Sequence, residues 1–390
     1  MTCRRMGLQA VRVVAAALLL VIAPCLRGGG SDFTVEKSIP GKTYEYRHEV
    51  MTEIPWSAHV FKISRKDPDL EFETTFGDGR VFGAEIVSGQ LRSATGAGRT
   101  VLAAVNGDFY LKRPGFEWRP RDLQISHGEI ITEPAGHPVF WMDTNGSPHL
   151  TNVLSLFKVV WEDGSATPLG LNEERAEDAA VLYTSISGSS THSVGGVELT
   201  LEPEGSGPWL PLKPQTHYTS RVKQINTRGD TPLPRGGVVL SLGPKLAALS
   251  PAVKAGATVR FATDTYPSLA GVKAAIGGGP MLVSGGKSLV GAWALARHPR
   301  SAFGWSKEFY YLVEVDGRQS DLSVGMTFPE LSEYLLMIGC EEAMNLDGGG
   351  SATLWALGKV MNSPSEGKER ACPNALVVLH KSGAADHAGH

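Results

Sequence analysis

This chain has few cysteines and a net charge close to zero. The first property argues against a zinc-binding protein, and the second argues against a nucleic-acid-binding protein. The 390 residues include four cysteines, and no H-E-x-x-H pattern occurs, so a structural zinc site is not expected. The net charge is −3, and no basic stripe alternates with aromatic residues. A nucleic-acid partner is therefore not predicted.

Long apolar runs are also lacking, apart from one at the N-terminus that is too short to span a bilayer. Arg4, Arg5 and Arg12 flank or precede the run at 13–23, and small and polar residues follow it. A membrane-spanning helix needs about 20 apolar residues, whereas this order is typical of a secretory signal peptide. We predict a signal peptide at residues 1–30, no transmembrane span, and a secreted, periplasmic or cell-envelope location.

The cysteines raise two further questions. The sequence IAPC ends at Cys25 and resembles a lipidation motif, which makes Cys25 a candidate lipid anchor. Pro24 departs from that motif, so plain cleavage is the preferred prediction. Cleavage beyond Cys25 leaves Cys340 and Cys372, and the sequence leaves open whether they form one disulfide or remain two buried thiols.

Glycine, in contrast, is abundant, with 46 residues, and short apolar runs bounded by turn residues recur. This pattern predicts that strands and turns dominate. Asn145 followed by glycine predicts a hairpin turn. We expect N-terminal strands at 31–97, an insert or lid-bearing lobe at 160–235 where proline, glycine and threonine are frequent, and a disordered tail at 382–390.

One helix is well marked in the sequence, beginning after Thr327. Thr327 and Glu330 have the spacing of a capping box. Leu331 and Leu335 then fall on one face, and Gly339 is placed to end the helix.

Three apolar runs end in a short polar residue followed by glycine. The three segments are Asn106–Asp108 in AAVNGDFY, Asp316–Arg318 in YLVEVDGR, and Asp347–Ser351 in NLDGGGSAT. Each alone is typical of an ordinary turn. If the three strands are neighbours, their ends bring Asp108, Asp316 and Asp347 into one crevice, so we predict a shared site.

The run of Gly348, Gly349 and Gly350 needs a reason, because three consecutive glycines carry a large entropy cost. Successive backbone amides in such a turn can bind an anionic oxygen, and Ser351 and Thr353 add hydroxyl donors. We therefore predict that this loop binds a phosphate or a sugar.

Arginines at strand ends supply positive charge for such an anion. Arg300 and Arg318 are the candidates for phosphate binding, whereas Arg297 and also Arg370 are interpreted as solvated surface residues. A second glycine cluster, with Gly278 and Gly279 at its centre, is compatible with either a ligand role or a tight bend.

Several segments occur together in an order that resembles a known family. They are VNGDFY, GGGPMLVSGGK, HPRSAFGW, DGRQSDLSVGMTFPELSEYLLMIGCEEAMNLDGGGSATLW and ERACPNALVV. Residues 98–381 thereby resemble the phosphodiester glycosidase domain. The resemblance implies an α+β fold, with a mixed, largely antiparallel β-sheet core and flanking helices.

The resemblance also implies an activity. It is hydrolysis of the glycosidic C–O bond of a sugar 1-phosphodiester, of the N-acetylhexosamine-1-phosphate type, releasing sugar and a phosphomonoester. Asp347 or Asp316 would activate water or stabilise the oxocarbenium-like transition state, and Asn106 would hold a sugar hydroxyl or the water. Asp108 is a further catalytic candidate, although family members often carry alanine or glycine at its position. No cofactor is expected, and a divalent cation is left open.

Two other functions use the same residues. A non-catalytic protein that binds glycan or exopolysaccharide would cradle its ligand in the same pocket without cleaving it. A metal-dependent phosphodiesterase would use the three aspartates as oxygen ligands and cut the P–O bond instead. Products formed in isotopic water distinguish the two cleavages.

Overall fold

The computed structural model describes residues 33–94, 98–205, 209–250, 253–291 and 295–381. The predicted signal peptide at 1–30, the candidate lipid anchor at Cys25 and the predicted tail at 382–390 lie outside these residues. In the described ranges no helix has the length and apolar character needed to cross a membrane.

Strands make up most of the regular structure. In the first half of the chain they are β1 (Thr34–Pro40), β2 (Tyr44–Met51), β3 (Trp56–Ser64), β4 (Leu70–Phe76), β5 (Arg99–Asn106), β6 (Gln124–Ser126), β7 (Glu129–Thr132), β8 (Pro138–Met142), β9 (Pro148–Asn152), β10 (Leu154–Ser155), β11 (Lys158–Val160), β12 (Ala166–Leu171) and β13 (Ala180–Thr184). In the second half they are β14 (Val197–Pro203), β15 (His217–Asn226), β16 (Val238–Leu242), β17 (Thr258–Ala262), β18 (Thr265–Tyr266), β19 (Ala275–Gly277), β20 (Met281–Ser284), β21 (Lys287–Ser288), β22 (Arg300–Trp305), β23 (Phe309–Val315), β24 (Glu342–Asn345), β25 (Leu354–Ala356), β26 (Lys359–Val360) and β27 (Asn374–Lys381).

Helices are few and short. The described ranges contain α1 (Val87–Ala94), α2 (Pro244–Ala247) and α3 (Phe328–Met337), with single 3₁₀ turns at Gly77–Gly79, Ser185–Ser187 and Gly349–Ser351. Strand accounts for 45% of the structure and helix for 9%. The predicted α+β class with flanking helices is therefore wrong, and the protein is mostly β. The reason is local, because short apolar runs between glycine turns pair as strands and only the α3 segment sustains a helical pattern.

The largest sheet has eight strands in the order β1-β2-β3-β23-β22-β24-β20-β21. Because side chains alternate between the two faces of a strand, each face of this sheet packs against a different element. On one face Val60 and Val313 pack with Leu331 and Leu335 of α3. On the other face, side chains such as Phe303 pack against strands of a second sheet.

That second sheet has five strands in the order β26-β25-β5-β27-β4. A third sheet has the order β7-β6-β19-β8-β9, and strands β11-β12-β13-β16-β14-β15-β17 form a closed barrel. Residues 160–235, predicted as an insert or lobe, fall within this barrel, whose strands run from Lys158 to Ala262.

Two local predictions are confirmed. Thr327 caps α3 through a hydrogen bond from the Glu330 amide, and the Glu330 side chain accepts from the Thr327 amide, which completes the capping box. The Asn145-Gly146 turn joins β8 to β9, which pair as a hairpin, and Gly146 has the positive φ of 79° that such a turn requires.

Candidate active site

The structure contains the three strand ends predicted from the sequence. The segments that follow β5 and β24 are hydrogen-bonded to each other. β5 ends at Asn106, β23 at Val315 and β24 at Asn345. The Asp347 amide donates to the Gly107 carbonyl at 2.9 Å, and Asn106 Nδ2 donates to the Asp347 carbonyl at 2.6 Å. The segment after β24 is thus joined to the end of β5 in the facing sheet.

The buried side chain of Asn106 forms hydrogen bonds to several segments at this junction. Its Oδ1 accepts from the Ser301 hydroxyl at 2.6 Å and from the Thr353 amide at 3.0 Å. Its side chain is fully buried. Asn106 therefore holds the loop after β24 in place, and all three of these contacts use protein groups.

The carboxylate of Asp347 is only partly used by the fold. Its Oδ1 accepts from the Gly348 amide at 2.9 Å, whereas its buried Oδ2 has no hydrogen-bond partner within the described ranges. Burial raises the pKa of Asp347, opposed by Ser351, the Gly348 amide, and the charges of Arg370 and Lys112. Asp347 Oδ2 therefore has hydrogen-bonding capacity that the described residues do not use.

The glycines after Asp347 allow close packing. A Cβ on Gly348 would lie 2.6 Å from the Pro299 carbonyl oxygen, and one on Gly349 would lie 2.8 Å from the Arg318 guanidinium. Gly349 also has a φ of 62°, a conformation that favours glycine. A Cβ on Gly350 would lie 2.6 Å from Arg370 Nη1.

This differs from the predicted nest of free amides. The Gly348 amide donates to Asp347, and the Gly349 amide donates to the Pro299 carbonyl at 2.9 Å. Two of the three amides are thus occupied by protein acceptors. In this structure the glycine run lets two arginine side chains lie against the backbone.

Arg300 and Arg318 form a concentration of positive charge beside this loop. Arg300 donates to the carbonyls of Met326 and Ala296 at 2.8 and 2.9 Å. Among the described residues neither arginine pairs with a carboxylate, whereas Arg297 pairs with Glu330. The interpretation of Arg297 as a solvated surface residue stays a prediction, to which the structure adds the pairing with Glu330.

The electrostatics of this region reflect the uncompensated charge. Burial and the charge of Arg318 lower the pKa of Arg300 to about 10. Burial and both arginines lower the pKa of His298, whose Nδ1 lies 3.5 Å from Arg318. The region therefore favours a bound anion.

Two further cations act at this loop: Arg370, which the sequence led us to interpret as a solvated surface residue, and Lys112, which the sequence did not indicate. Arg370 Nη2 donates to the Ser351 hydroxyl at 2.7 Å, and both cations act on Asp347. The position of Arg370 before a buried strand indicated a possible site role, and its contact with Ser351 corrects the solvated-surface interpretation, whereas Lys112 lies in an irregular exposed segment without such a signal. Ser351 and Thr353 are buried, and Thr353 Oγ1 has no partner in the described part of the chain.

In Asp316, in contrast, both carboxylate oxygens have hydrogen-bond partners within the protein. Its Oδ2 accepts from the Ser57 hydroxyl at 2.8 Å and lies 3.0 Å from His59 Nε2, and its Oδ1 accepts from the Ser363 amide at 2.8 Å. It is 1% exposed. Its backbone carries the chain toward Arg318, but its carboxylate points into the interface between the two sheets.

Asp108 lies at the other side of the junction and is also buried. Its oxygens accept from the amides of Phe109 and Asp122 at 2.8 and 2.7 Å. Burial raises its pKa to about 7, although Arg121 opposes the shift. Asp108 therefore carries a proton more readily than an ordinary aspartate.

The second glycine cluster packs between Asp108 and β24. A Cβ on Gly278 would lie 2.7 Å from the Asn345 carbonyl oxygen. The Gly279 amide donates to that same carbonyl, and Arg121 Nη2 donates to the Gly278 carbonyl. The contacts of Gly278 and Gly279 thus match the tight-bend alternative, with a φ of 129° at Gly279.

The three aspartates do not converge on one point. Within the described ranges, the groups of three or more side chains whose ligand atoms lie within 4.8 Å of one another are His59–Glu314–Asp316 and Asp67–Asp69–His380. Neither contains two of the predicted aspartates. The arrangement with Asp108, Asp316 and Asp347 as joint metal ligands is therefore not observed.

Comparison with known proteins finds one matching family model and one relative with similar sequence. Residues 218–379 match the family model described as phosphodiester glycosidase. An 85-residue segment is 38% identical to the SPbeta prophage-derived protein YomE of Bacillus subtilis strain 168, covering 22% of this chain and 13% of that protein.

Two solved structures share the fold. A hypothetical protein from Synechocystis superposes with a TM-score of 0.70 at 17% identity, over 88% of this chain and 63% of that one. A candidate exported protein from Burkholderia pseudomallei K96243 superposes with a TM-score of 0.64 at 22% identity, over 84% and 75%. The chain thus spans less than two thirds of the first of these and a small part of YomE.

The family match contains the loop after β24, both unpaired arginines, Arg370 and α3, and it ends within β27. The predicted resemblance is confirmed over that segment. Residues 218–379 of this chain are therefore similar to the phosphodiester glycosidase family.

Proposed function

We propose that this protein hydrolyses the glycosidic C–O bond of a sugar 1-phosphodiester, releasing free sugar and a phosphomonoester. The observation that carries the proposal is the pair of arginines without carboxylate partners, Arg300 and Arg318, beside the loop that begins with Asp347. A phosphodiester supplies the missing negative charge, and the glycosidic bond is what the family name specifies.

The arginines act on the leaving group. When the bond between the anomeric carbon and the phosphate oxygen breaks, both bonding electrons go to that oxygen, and the phosphodiester monoanion becomes a phosphomonoester dianion. Arg300 and Arg318 stabilise the added charge. A phosphomonoester is a weak base, so protonation by a dedicated acid matters less than it does for an ordinary glycoside.

Asp347 activates the water. Its Oδ2 is buried and has no partner among the described residues, and its raised pKa makes it a better base than an exposed aspartate. In the reaction the water oxygen bonds to the anomeric carbon, and one water proton passes to Asp347 and then to solvent. Asn106 and Asp316 support this arrangement from within the fold, since their polar atoms are engaged by protein groups.

The substrate class is the finer part of the proposal. We infer an N-acetylhexosamine-1-phosphodiester or a related glycan, acted on after export, as the sequence pattern of residues 1–30 suggests. Lys112 and Arg121 lie on the segment after β5 and add positive charge toward an anionic aglycone.

The test measures free sugar released from a panel of hexose and N-acetylhexosamine 1-phosphodiesters. Asp347→Asn keeps the size of the side chain and removes the base, so we expect kcat/KM to fall by about 10²- to 10⁴-fold. Asp321→Asn changes an exposed aspartate on the segment after β23 and serves as the matched control, with activity unchanged.

Hydrolysis in ¹⁸O-labelled water identifies the bond that breaks. Label in the sugar supports C–O cleavage, whereas label in the phosphate contradicts the proposal and favours a phosphodiesterase. Folded protein that binds members of the panel without turnover would instead indicate a glycan-binding protein. Equal activity of Asp347→Asn and the parent chain would reject Asp347 as the base.

A further inference from the structure

A second cluster of ligand-type side chains lies away from the loop after β24, between the two packed sheets. Glu314 of β23 is directly opposite His59 of β3 in the antiparallel register. Asp316 follows two residues after Glu314 and therefore lies on the same face. One ligand atom from each of the three residues lies within 4.8 Å of the others.

The cluster contains two buried carboxyl groups that no lysine or arginine of the described ranges pairs with. Glu314 is 0% exposed and Asp316 is 1% exposed. Neither forms an ion pair with lysine or arginine in the described ranges, and the Nε2 atom of His59 lies 3.0 Å from Asp316 Oδ2. Both carboxylate oxygens of Glu314 lack a hydrogen-bond partner among the described residues.

Protonation of Glu314 does not resolve this arrangement. A protonated carboxyl group is a hydrogen-bond donor and needs an acceptor, and a buried donor without one is destabilising. A divalent cation bonded to the carboxylates uses their oxygens and balances two negative charges at once.

The surrounding contacts orient the side chains as ligands. His59 Nδ1 lies 2.8 Å from the Tyr46 hydroxyl, which leaves Nε2 directed at the cluster. Ser57 and the Ser363 amide hold the two oxygens of Asp316. Outer contacts of this kind fix ring and carboxylate orientation at metal sites.

The spacing also fits. His59 Nε2 and Asp316 Oδ2 are 3.0 Å apart, which matches neighbouring ligands that each lie about 2.1 Å from one ion. One imidazole nitrogen with two carboxylates suits zinc and its first-row neighbours, whereas calcium and magnesium prefer oxygen alone.

We propose that His59, Glu314 and Asp316 form a structural binding site for a divalent first-row transition ion, with Zn²⁺ as its representative. The ion joins β3 to β23 inside the sheet interface. Because Asp316 is followed by Gly317 and Arg318, the ion also stabilises the segment that carries Arg318. The site is separate from the catalytic proposal, which depends on Asp347.

The test counts metal in the purified full-length chain after growth with excess Zn²⁺ and dialysis against a weak chelator. We expect about one zinc ion per chain. Glu314→Gln and His59→Gln each remove one ligand with little change in volume, and we expect at least a tenfold loss of bound zinc in both.

Asp69→Asn is the control, because Asp69 belongs to the other acidic group, with Asp67 and His380. It is expected to retain the parent's zinc content. Parent-like zinc in Glu314→Gln and His59→Gln, or a folded parent chain without zinc, would overturn the proposal.

Growth with Co²⁺ gives a measurement that needs no variant. Cobalt bound to a histidine and two carboxylates gives visible d–d absorption at about one ion per chain, and removing it is expected to lower Tm because the ion binds the folded state alone. A cobalt-loaded chain with the spectrum of the hydrated ion would contradict the site. Neither readout depends on turnover, so failure of this proposal leaves the glycosidase proposal intact.

Discussion

At the scale of single residues, two aspartates with the same local sequence have different environments. Asp316 and Asp347 both follow a buried strand and both precede glycine. Asp316 has both oxygens engaged by Ser57, His59 and the Ser363 amide, whereas Asp347 keeps Oδ2 without a partner in the described part of the chain. Only Asp347 therefore has a free oxygen for chemistry.

The pKa of Asp347 leads to a prediction about pH. Burial raises this pKa above its usual value of 3.8. A base works only when ionised, so kcat/KM should fall as the pH decreases through the folded pKa, and the acid limb should lie above 3.8. The measurement is a profile of kcat/KM between about pH 3 and pH 8.

The variant Lys112→Met gives a second test of the pKa of Asp347. Lys112 lowers the pKa of Asp347 through its positive charge, so its removal should move the acid limb to higher pH. A limb at or below 3.8, or one displaced to lower pH in this variant, would show that Asp347 is not the group that titrates.

The unpaired arginines give a prediction about substrate charge. Arg318→Met should lower kcat/KM by about 10- to 100-fold, because a hydrogen bond to a charged group contributes about 1.5–3 kcal/mol. Arg297→Met removes an arginine of the same surface that pairs with Glu330 and is the matched control. The kinetic comparison would contradict an anion site if both variants lost activity equally.

At the scale of elements, the loop after β24 is shaped by what lies against it. Its glycines make room for Pro299, Arg318 and Arg370, while Asn106 fixes its carbonyl and amide groups from β5. The loop is thus held between two sheets, and the arginines approach its backbone at distances that a side chain would block.

Gly349→Ala tests this arrangement. The change introduces both a strained backbone, since φ is 62°, and a collision with Arg318 at 2.8 Å. We expect a stability loss of about 1–2 kcal/mol from the backbone and a fall of about tenfold or more in kcat/KM from displacement of Arg318.

Gly358→Ala separates the two effects. Gly358 has a φ of 88°, and a Cβ there meets no atom within 4 Å, so the variant carries the backbone cost alone. Thermal unfolding should show similar losses of Tm in both variants, with activity lost in Gly349→Ala only. Full activity in Gly349→Ala would show that close contact with Arg318 is not needed.

At the scale of the whole molecule, the two described cysteines answer the question that the sequence left open. Cys340 packs with α3 on one side of the large sheet, and Cys372 packs with α1 beside the second sheet. Both are free and buried. The alternative of two buried thiols is therefore the one observed.

Burial also makes both thiols unreactive. It raises the pKa of Cys340 well above its usual value and that of Cys372 to about 12. We expect iodoacetamide to label neither position in the native protein and both in denaturant, as measured by peptide mass spectrometry. A Tm that falls on addition of reductant, or a linked peptide pair, would contradict this prediction.

Local features could be predicted from the sequence because they depend on neighbouring residues. The cap of α3 requires Thr327 and Glu330 three positions apart, and the β8–β9 turn requires asparagine followed by glycine. The strand ends at Asn106 and Asn345 follow from apolar runs that stop at turn residues. The helix content was overestimated because it was inferred from family resemblance, whereas the apolar runs themselves indicated strands.

The sequence by itself determined the strands, the capped helix, the glycine loop and the resemblance of residues 218–379 to the phosphodiester glycosidase family. Only the tertiary structure decided which carboxylate keeps an open oxygen, which arginines lack a partner, and that His59 lies 3.0 Å from Asp316 across 257 positions of chain. The physical reason is that burial, hydrogen-bond saturation and charge balance depend on groups brought together from distant strands. These pairings cannot be predicted from the residues that are adjacent in the sequence.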